Sequence, residues 1–346
     1  MDVGRLIFFS TLILSAMGQC LEEAVARETA FGLYTTDGAE GVTIEVFVRY
    51  NSLGSDRVDV CEVGLRMPHI DRVRHCLDND VCPPGAQINL DFPIVNDFVG
   101  ERGFPFPFVS MAAGFNVQGH PNGNYQEYRE YWQACEDRST VDTCDEAPSS
   151  WSWIVPHVDA HFFFLPDDEV ESIFWEGFPT VPPPADIAAK CEDEPDSRLA
   201  APTGFFSEND CIPHMGRHWA EDKLEPAEVF QFQPALIYGT YDGKPSFWEP
   251  MVSGDVFNWI RDNDPDQRAT LSWPQPELYP EAGYFPTHYF LGEVTNSDDL
   301  IGNGRTVEVG FTNFVLRPRD PNAATALQMS IPILALSATL CAIMNQ

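Results

Sequence analysis

Residues 154–165 read IVPHVDAHFFFL, and this stretch decides the fold class. Its β-branched and aromatic residues favour a β-strand over a helix. In a strand, alternate side chains share one face, so we predict that His157, Asp159 and His161 point the same way. Polar groups of this kind are rarely buried without a partner, which indicates a cation site or a hydrogen-bonded groove on this face.

The spacing of the two histidines restricts such a site. At about 3.3 Å per residue, positions i and i+4 of a strand lie about 13 Å apart, which is near the combined reach of two imidazoles. Positions two residues apart share an ion more easily. We therefore expect one or both of His157 and His161 as ligands, with Asp159 as a ligand or as the group that orients them. If this segment were a helix, His157 and His161 would lie on one face and could bind the same ion.

The rest of the chain has the same character. Short runs of aromatic, β-branched and polar residues are separated by many Gly, Pro, Asn and Asp residues, which is typical of mainly β proteins. The runs predicted as strands are residues 41–50, 154–165, 235–241, 244–248 and 306–316. Asp242-Gly243 predicts a tight hairpin turn. Helical periodicity is weak, and only short helices are predicted, at 167–175 and 254–261.

These elements predict a mainly β fold, with α+β as the alternative. About 300 residues are enough for one large domain, and we expect a β-sandwich or a barrel-like fold. The domain is predicted to span residues 19–322, with surface insertions at about 127–150 and 186–208.

Cysteine usage indicates disulfide bonds. The chain has nine cysteines, of which Cys341 lies in the terminal tail. An even set of eight in an exported chain is typical of a disulfide framework. The pairs closest in sequence that could close local loops are Cys76 with Cys82 and Cys135 with Cys144.

Both ends of the sequence carry targeting patterns. Residues 1–18 combine Arg5, an apolar run and a small-residue cleavage pattern, which predicts a secretory signal peptide. The small residues 322–324 are followed by an apolar tail that has no charge between 327 and 344, and the segment 323–346 is therefore predicted to be a GPI-anchor signal. A retained membrane span is one alternative, and the absence of any anchor is the other. The expected location is extracellular, at the cell surface.

The acidic excess limits the partners. The chain has 53 acidic and 20 basic residues, and its net charge is −33. This argues strongly against nucleic acid as a partner, because no basic stripe neutralises phosphates. It also disfavours anionic membrane surfaces. An acidic surface raises the local concentration of cations, although it also suits plain solvation in a saline exterior.

Two further runs place polar residues among aromatic ones, at 213–219 (PHMGRHW) and 241–251 (YDGKPSFWEPM). In the first, His218 lies between a glycine that permits a tight turn and a tryptophan that would wall a pocket. His214 follows a proline and is expected to be incidental. In the second run, Glu249 is close in sequence to aromatic residues. A carboxylate in such apolar surroundings needs a cation or a hydrogen-bond donor.

The candidate metal ligands form a set of six. His120, in Gly119-His120-Pro121, is either a ligand or part of a turn. The full set is His120, His157, Asp159, His161, His218 and Glu249. The expected cofactor is a divalent ion, with zinc first and iron, manganese or copper as alternatives. The remaining histidines, expected to be structural or exposed, are His69, His75 and His288.

These motifs together resemble a family of largely exported, mostly bacterial proteins that is known as a domain of unknown function. The matching segments are Gly119 to Pro121, Pro156 to Phe162, Met215 to Trp219 and Ile237 to Met251, and they span roughly residues 100–290. The chain departs from the family by the cysteine-bearing insertion between the first two motifs. The resemblance implies a β-rich domain and a metal site at the six polar positions, without an established reaction.

Three functions are compatible with these residues. The first is a surface-anchored metalloprotein that acts as a metal-dependent hydrolase or oxidoreductase on a small-molecule substrate. In its hydrolytic form His157, His161 and His218 hold the ion, and Glu249 or Asp159 is the base. The second is a non-catalytic cation-binding protein. The third is a structural or adhesive ectodomain with a buried hydrogen-bond network.

Overall fold

The computed structural model describes residues 27–35, 43–52, 58–70, 88–91, 107–116, 155–176, 181–193, 202, 204–221, 232–294 and 305–317. The predicted signal peptide and the C-terminal tail lie outside these residues. So do His75, His120 and the insertion at 127–150. Within the described ranges, no helix is both long and apolar enough to cross a membrane.

The described residues are mainly β, as predicted. The strands are β1 (Arg27–Thr35), β2 (Thr43–Ser52), β3 (Val58–Pro68), β4 (Ile88–Asp91), β5 (Ser110–Asn116), β6 (His157–Phe163), β7 (Phe205–Ile212), β8 (Gly216–Glu221), β9 (Ala235–Tyr241), β10 (Lys244–Ser253), β11 (Arg268–Ser272), β12 (Gly283–Val294) and β13 (Thr306–Arg317). The helices are α1 (Asp167–Ser172), α2 (Ala185–Glu192) and α3 (Gly254–Asn263).

The strands form two antiparallel sheets. One has the order β1-β2-β3-β13-β12-β11, and the other has the order β4-β5-β6-β10-β9-β8-β7. Neither sheet closes into a barrel within the described part of the chain. Of the two predicted architectures, the sandwich is therefore the one that the structure shows.

The main core lies between the two sheets. Val158, Ala160 and Phe162 face it from β6, and residues such as Leu65 and Phe311 face it from the six-stranded sheet. Because alternate residues of a strand point to opposite faces, the odd-numbered residues of β6 lie on the far side of the seven-stranded sheet.

The far side of the seven-stranded sheet is buried as well. There Phe163 and Phe247 form a second core with Val170 of α1 and Ile187 of α2. All residues of β6 and β9 are buried. Strands covered on both faces read as continuous apolar runs. Polar residues of β6 and β10 on this face, such as His161 and Glu249, are therefore shielded from solvent, whereas His218 of β8 is only partly buried.

A disulfide bond fixes α2 to the sheet. It joins Cys191 of α2 to Cys211 of β7, and Cys61 of β3 is disulfide-bonded as well. Disulfide bonding, as expected, is thus present in the described residues, whereas the predicted local pairs Cys76 with Cys82 and Cys135 with Cys144 lie outside them. Cys191 belongs to the predicted insertion at 186–208, and the described parts of that insertion lie in α2, at Pro202, at Gly204 and in the first half of β7.

Local sequence signals account for two boundaries near the site. Asp242 and Gly243 have φ angles of 52° and 68°, so the β9–β10 turn has positive φ at both central positions, as in a type I′ turn. Helix α3 begins after Ser253, whose side chain accepts a hydrogen bond from the Val256 backbone N–H at 3.3 Å. Both the hairpin and this helix were predicted from the sequence.

Candidate metal centre

Strand register brings His161 and Glu249 together. Strand β10 pairs with β6 so that Phe247 lies opposite Phe163. In an antiparallel pair, Glu249, two residues after Phe247, lies opposite His161, two residues before Phe163. The two side chains therefore face each other on the same side of the sheet. That side is the buried far face, away from the sandwich core.

A third candidate ligand comes from β8. The register places His218 beside Gly239 of β9, and Gly239 beside Phe247 of β10. Gly239 has no side chain, so nothing projects from β9 between His218 and the β10 strand at that level. His218 therefore shares the far face with His161 and Glu249.

These three residues form a ligand triad that could hold a metal ion. One candidate ligand atom from each of His161, His218 and Glu249 lies within 4.8 Å of the other two. The His161 Nε2 to Glu249 Oε2 distance is 3.2 Å. An ion bonded at about 2.1 Å to two ligands separates them by about 3.0 Å at a right angle and about 3.4 Å at the tetrahedral angle. The observed distance lies between these values.

Two members of the triad, His161 and Glu249, are fully buried. His161 is 1% exposed and Glu249 is 2% exposed. Neither ring nitrogen of His161 forms a hydrogen bond with any described residue, and the short approach to Glu249 does not have hydrogen-bond geometry. An unsatisfied buried polar group costs about 1–3 kcal/mol, so native structures rarely keep one without a purpose.

The surroundings keep this imidazole neutral. Burial lowers the pKa of His161 to about 4, and the nearby negative charge of Asp159 offsets only part of that effect. A neutral imidazole has a lone pair, and this is the form that binds metal ions. The ring that lies close to Glu249 is therefore uncharged.

The same shift predicts how the stability of the metal-free protein depends on pH. The unfolded chain binds a proton at His161 below its ordinary pKa of 6.5, whereas the folded chain does so only near 4. The free energy of unfolding should therefore fall as the pH drops from 6.5 to 4, by up to about 3 kcal/mol from this residue. Urea unfolding of metal-free protein across this range measures it.

The His161→Leu variant is the control for that experiment, because it removes this titration and leaves the carboxylates in place. We expect the pH dependence of wild-type protein to be steeper than that of the variant between pH 6.5 and 4. Identical slopes would contradict the burial of a neutral imidazole.

His157 and Asp159 are outside the triad. They lie on the same strand face, as predicted, and His157 Nε2 is 3.5 Å from Asp159 Oδ1. His157 Nδ1 is 2.8 Å from the Val155 carbonyl oxygen. A carbonyl can only accept, so we assign the proton to Nδ1. The candidate cluster thus contains His161, His218 and Glu249 but not His157, in line with the distance expected between positions 157 and 161 of a strand.

The other described histidines have local roles. His214 has a φ of 63° and stacks on Phe174, with ring centroids 5.0 Å apart. His69 Nε2 lies 3.3 Å from the Gly254 carbonyl oxygen. His288 Nδ1 lies 2.9 Å from the hydroxyl of Thr287. None of the three belongs to the ligand triad.

Gly239 is the feature of the site that sequence reasoning missed. A Cβ atom at this position would lie 2.0 Å from the Phe247 ring. A glycine inside an otherwise apolar strand signals a close approach by a neighbouring group. The run Ile-Tyr-Gly-Thr-Tyr at 237–241 carried that signal.

No protein-family model, no curated protein and no solved structure matches this chain.

Proposed function

We propose that this protein binds one divalent metal ion, zinc in the first place, through His161, His218 and Glu249. We also propose that it does so outside the cell, held at the surface by its C-terminal tail. The observation that carries the metal proposal is the buried imidazole of His161, which has no hydrogen bond among the described residues and lies 3.2 Å from a buried carboxylate oxygen.

The chemistry of the triad supports zinc. Two imidazole nitrogens and one carboxylate oxygen suit zinc and also iron, and the same His₂Glu set occurs in zinc enzymes. The carboxylate of Glu249 is buried, and a bound cation would compensate its charge. Magnesium and calcium prefer sites made of oxygen ligands alone, which this triad is not.

Three features support the extracellular part of the proposal. The N-terminal sequence has the pattern of a signal peptide. The disulfide bond between Cys191 and Cys211 is of a kind that persists in oxidising compartments. The tail at 323–346 has the composition of an anchor signal.

Metal analysis of the purified protein tests the site. After dialysis against zinc, we expect about one zinc ion per chain, because one triad holds one ion. Inductively coupled plasma mass spectrometry measures the zinc content. The His161→Ala and His218→Ala variants should lose it. His288→Ala is the matched control, since this histidine belongs to the other sheet, and it should keep the ion. Folded wild-type protein without metal would contradict the proposal.

A metal-dependent hydrolase is the second candidate. The described residues supply three ligands, and three protein ligands plus an open position are typical of catalytic zinc. An ion held in this way would activate a bound water. Hydrolysis of ester or peptide substrates by zinc-loaded protein, lost in His218→Ala, would support it. If zinc-loaded protein hydrolyses none of these substrates, the hydrolase candidate is contradicted and only the metal-binding function remains.

A further inference from the structure

The ring of Phe247 contacts both histidines of the triad. Its centroid is 5.1 Å from the His161 ring and 5.3 Å from the His218 ring. The interplanar angles are 64° and 75°, so both contacts are edge-to-face. Phe247 itself is completely buried.

The absence of a side chain at Gly239 allows the Phe247 ring to occupy this position. A Cβ atom there would lie 2.0 and 2.1 Å from two carbons of the Phe247 ring and 2.5 Å from the Ser246 hydroxyl oxygen. The ring therefore lies directly on the backbone of β9, between the strand that carries His218 and its own strand. Any side chain at position 239 would displace it toward the imidazoles.

The ring thus covers the side of the site that faces the sheet. Edge-to-face contacts at this distance leave no space for a water molecule between the ring and either imidazole. The phenyl ring also has no atom that could act as a metal ligand. An ion held by the triad can then take additional ligands only on the side away from the sheet, which limits its coordination number.

Coordination number separates metals. Zinc is stable with four ligands, whereas manganese and magnesium prefer six and keep several waters. We propose that Phe247, lying over Gly239, is the specificity-determining residue of this site and favours zinc over manganese by excluding water from the sheet side. This proposal rests on the metal site described under the proposed function.

The first test compares zinc, cobalt and manganese binding by wild-type protein and Phe247→Leu. Four-coordinate cobalt absorbs visible light more strongly than six-coordinate cobalt. We expect the wild type to show the strong spectrum and the variant a weaker one. The ratio of zinc affinity to manganese affinity should fall by about tenfold or more in the variant, the size typical of changes around metal ligands.

Phe163→Leu is the matched control. Phe163 stacks on His161 at 5.8 Å from the same face of the sheet and does not lie over Gly239. It should keep the wild-type cobalt spectrum and metal preference. A merely structural role of the aromatic residues would give the two variants the same behaviour.

Gly239→Ala tests the proposal from the other side. The added methyl group pushes the ring into the imidazoles, so zinc and cobalt affinity should fall about 10- to 100-fold although no ligand is lost. Combining Gly239→Ala with Phe247→Leu should restore part of the affinity. The Gly239→Ala variant also decides the question if Phe247→Leu fails to fold, because it keeps the phenylalanine.

The outcomes distinguish this proposal from the metal site itself. Wild-type protein that binds neither zinc nor cobalt would overturn the site and this proposal together. Wild-type protein that binds zinc, with an unchanged cobalt spectrum and metal preference in the folded Phe247→Leu variant, would overturn only the role of Phe247. An unchanged zinc affinity in Gly239→Ala would do the same.

Discussion

Zinc is expected to raise the free energy of unfolding by about 4 kcal/mol when its free concentration is about 1,000 times the dissociation constant. The proposed ligands come from β6, β8 and β10, which are separate in sequence and meet only when the seven-stranded sheet is formed. The unfolded chain therefore has no preformed site, and binding energy becomes folding energy. Urea unfolding with zinc, and with a chelator instead, measures the difference.

Two controls make this result specific. Magnesium at the same concentration should have little effect, because the triad supplies two nitrogen ligands and only one carboxylate. The His218→Ala variant should respond weakly to zinc, since the remaining pair binds an ion less tightly. Equal stabilisation of wild type and His218→Ala would show that zinc acts at another place.

The His161→Leu variant is expected to have opposite effects on stability and on metal binding. In the metal-free protein the imidazole is buried among Phe163, Phe247 and other apolar groups without a hydrogen bond in the described structure. Replacing it with an apolar side chain should raise the free energy of unfolding by about 1–3 kcal/mol. The same change should abolish the stabilisation by zinc, because a ligand is gone.

Phe163→Leu is the matched control for this variant, since it changes the same strand and the same face. It shrinks an apolar side chain in a packed core and should lower the stability, typically by about 1 kcal/mol or more. It should leave the response to zinc intact. If His161→Leu destabilises the metal-free protein as Phe163→Leu does, the imidazole contributes to folding in its own right.

Local sequence patterns predicted much of the fold. Alternation and β-branched residues identified β2, β6 and β13, because side-chain periodicity follows directly from strand geometry. The Asp242-Gly243 pair identified the β9–β10 hairpin, since few residues adopt positive φ at both positions. Helix α2 was not predicted, because its burial depends on packing against strands distant in sequence.

The site was predicted in part, for a related reason. The alternation of β6 correctly put His157, Asp159 and His161 on one face, and all three triad residues were among the candidates. Which of them meet depends on the register across β6, β10, β9 and β8. Register is set by long-range pairing, so no local pattern could favour Glu249 over His157 as the partner of His161.

The most direct measurement is a crystal structure of the zinc-loaded protein with anomalous diffraction data at the zinc absorption edge. We expect one anomalous peak among His161, His218 and Glu249, at about 2.0–2.2 Å from a ligand atom of each. A folded, zinc-soaked crystal with no peak between these side chains, or with zinc bound only elsewhere, would contradict the metal site.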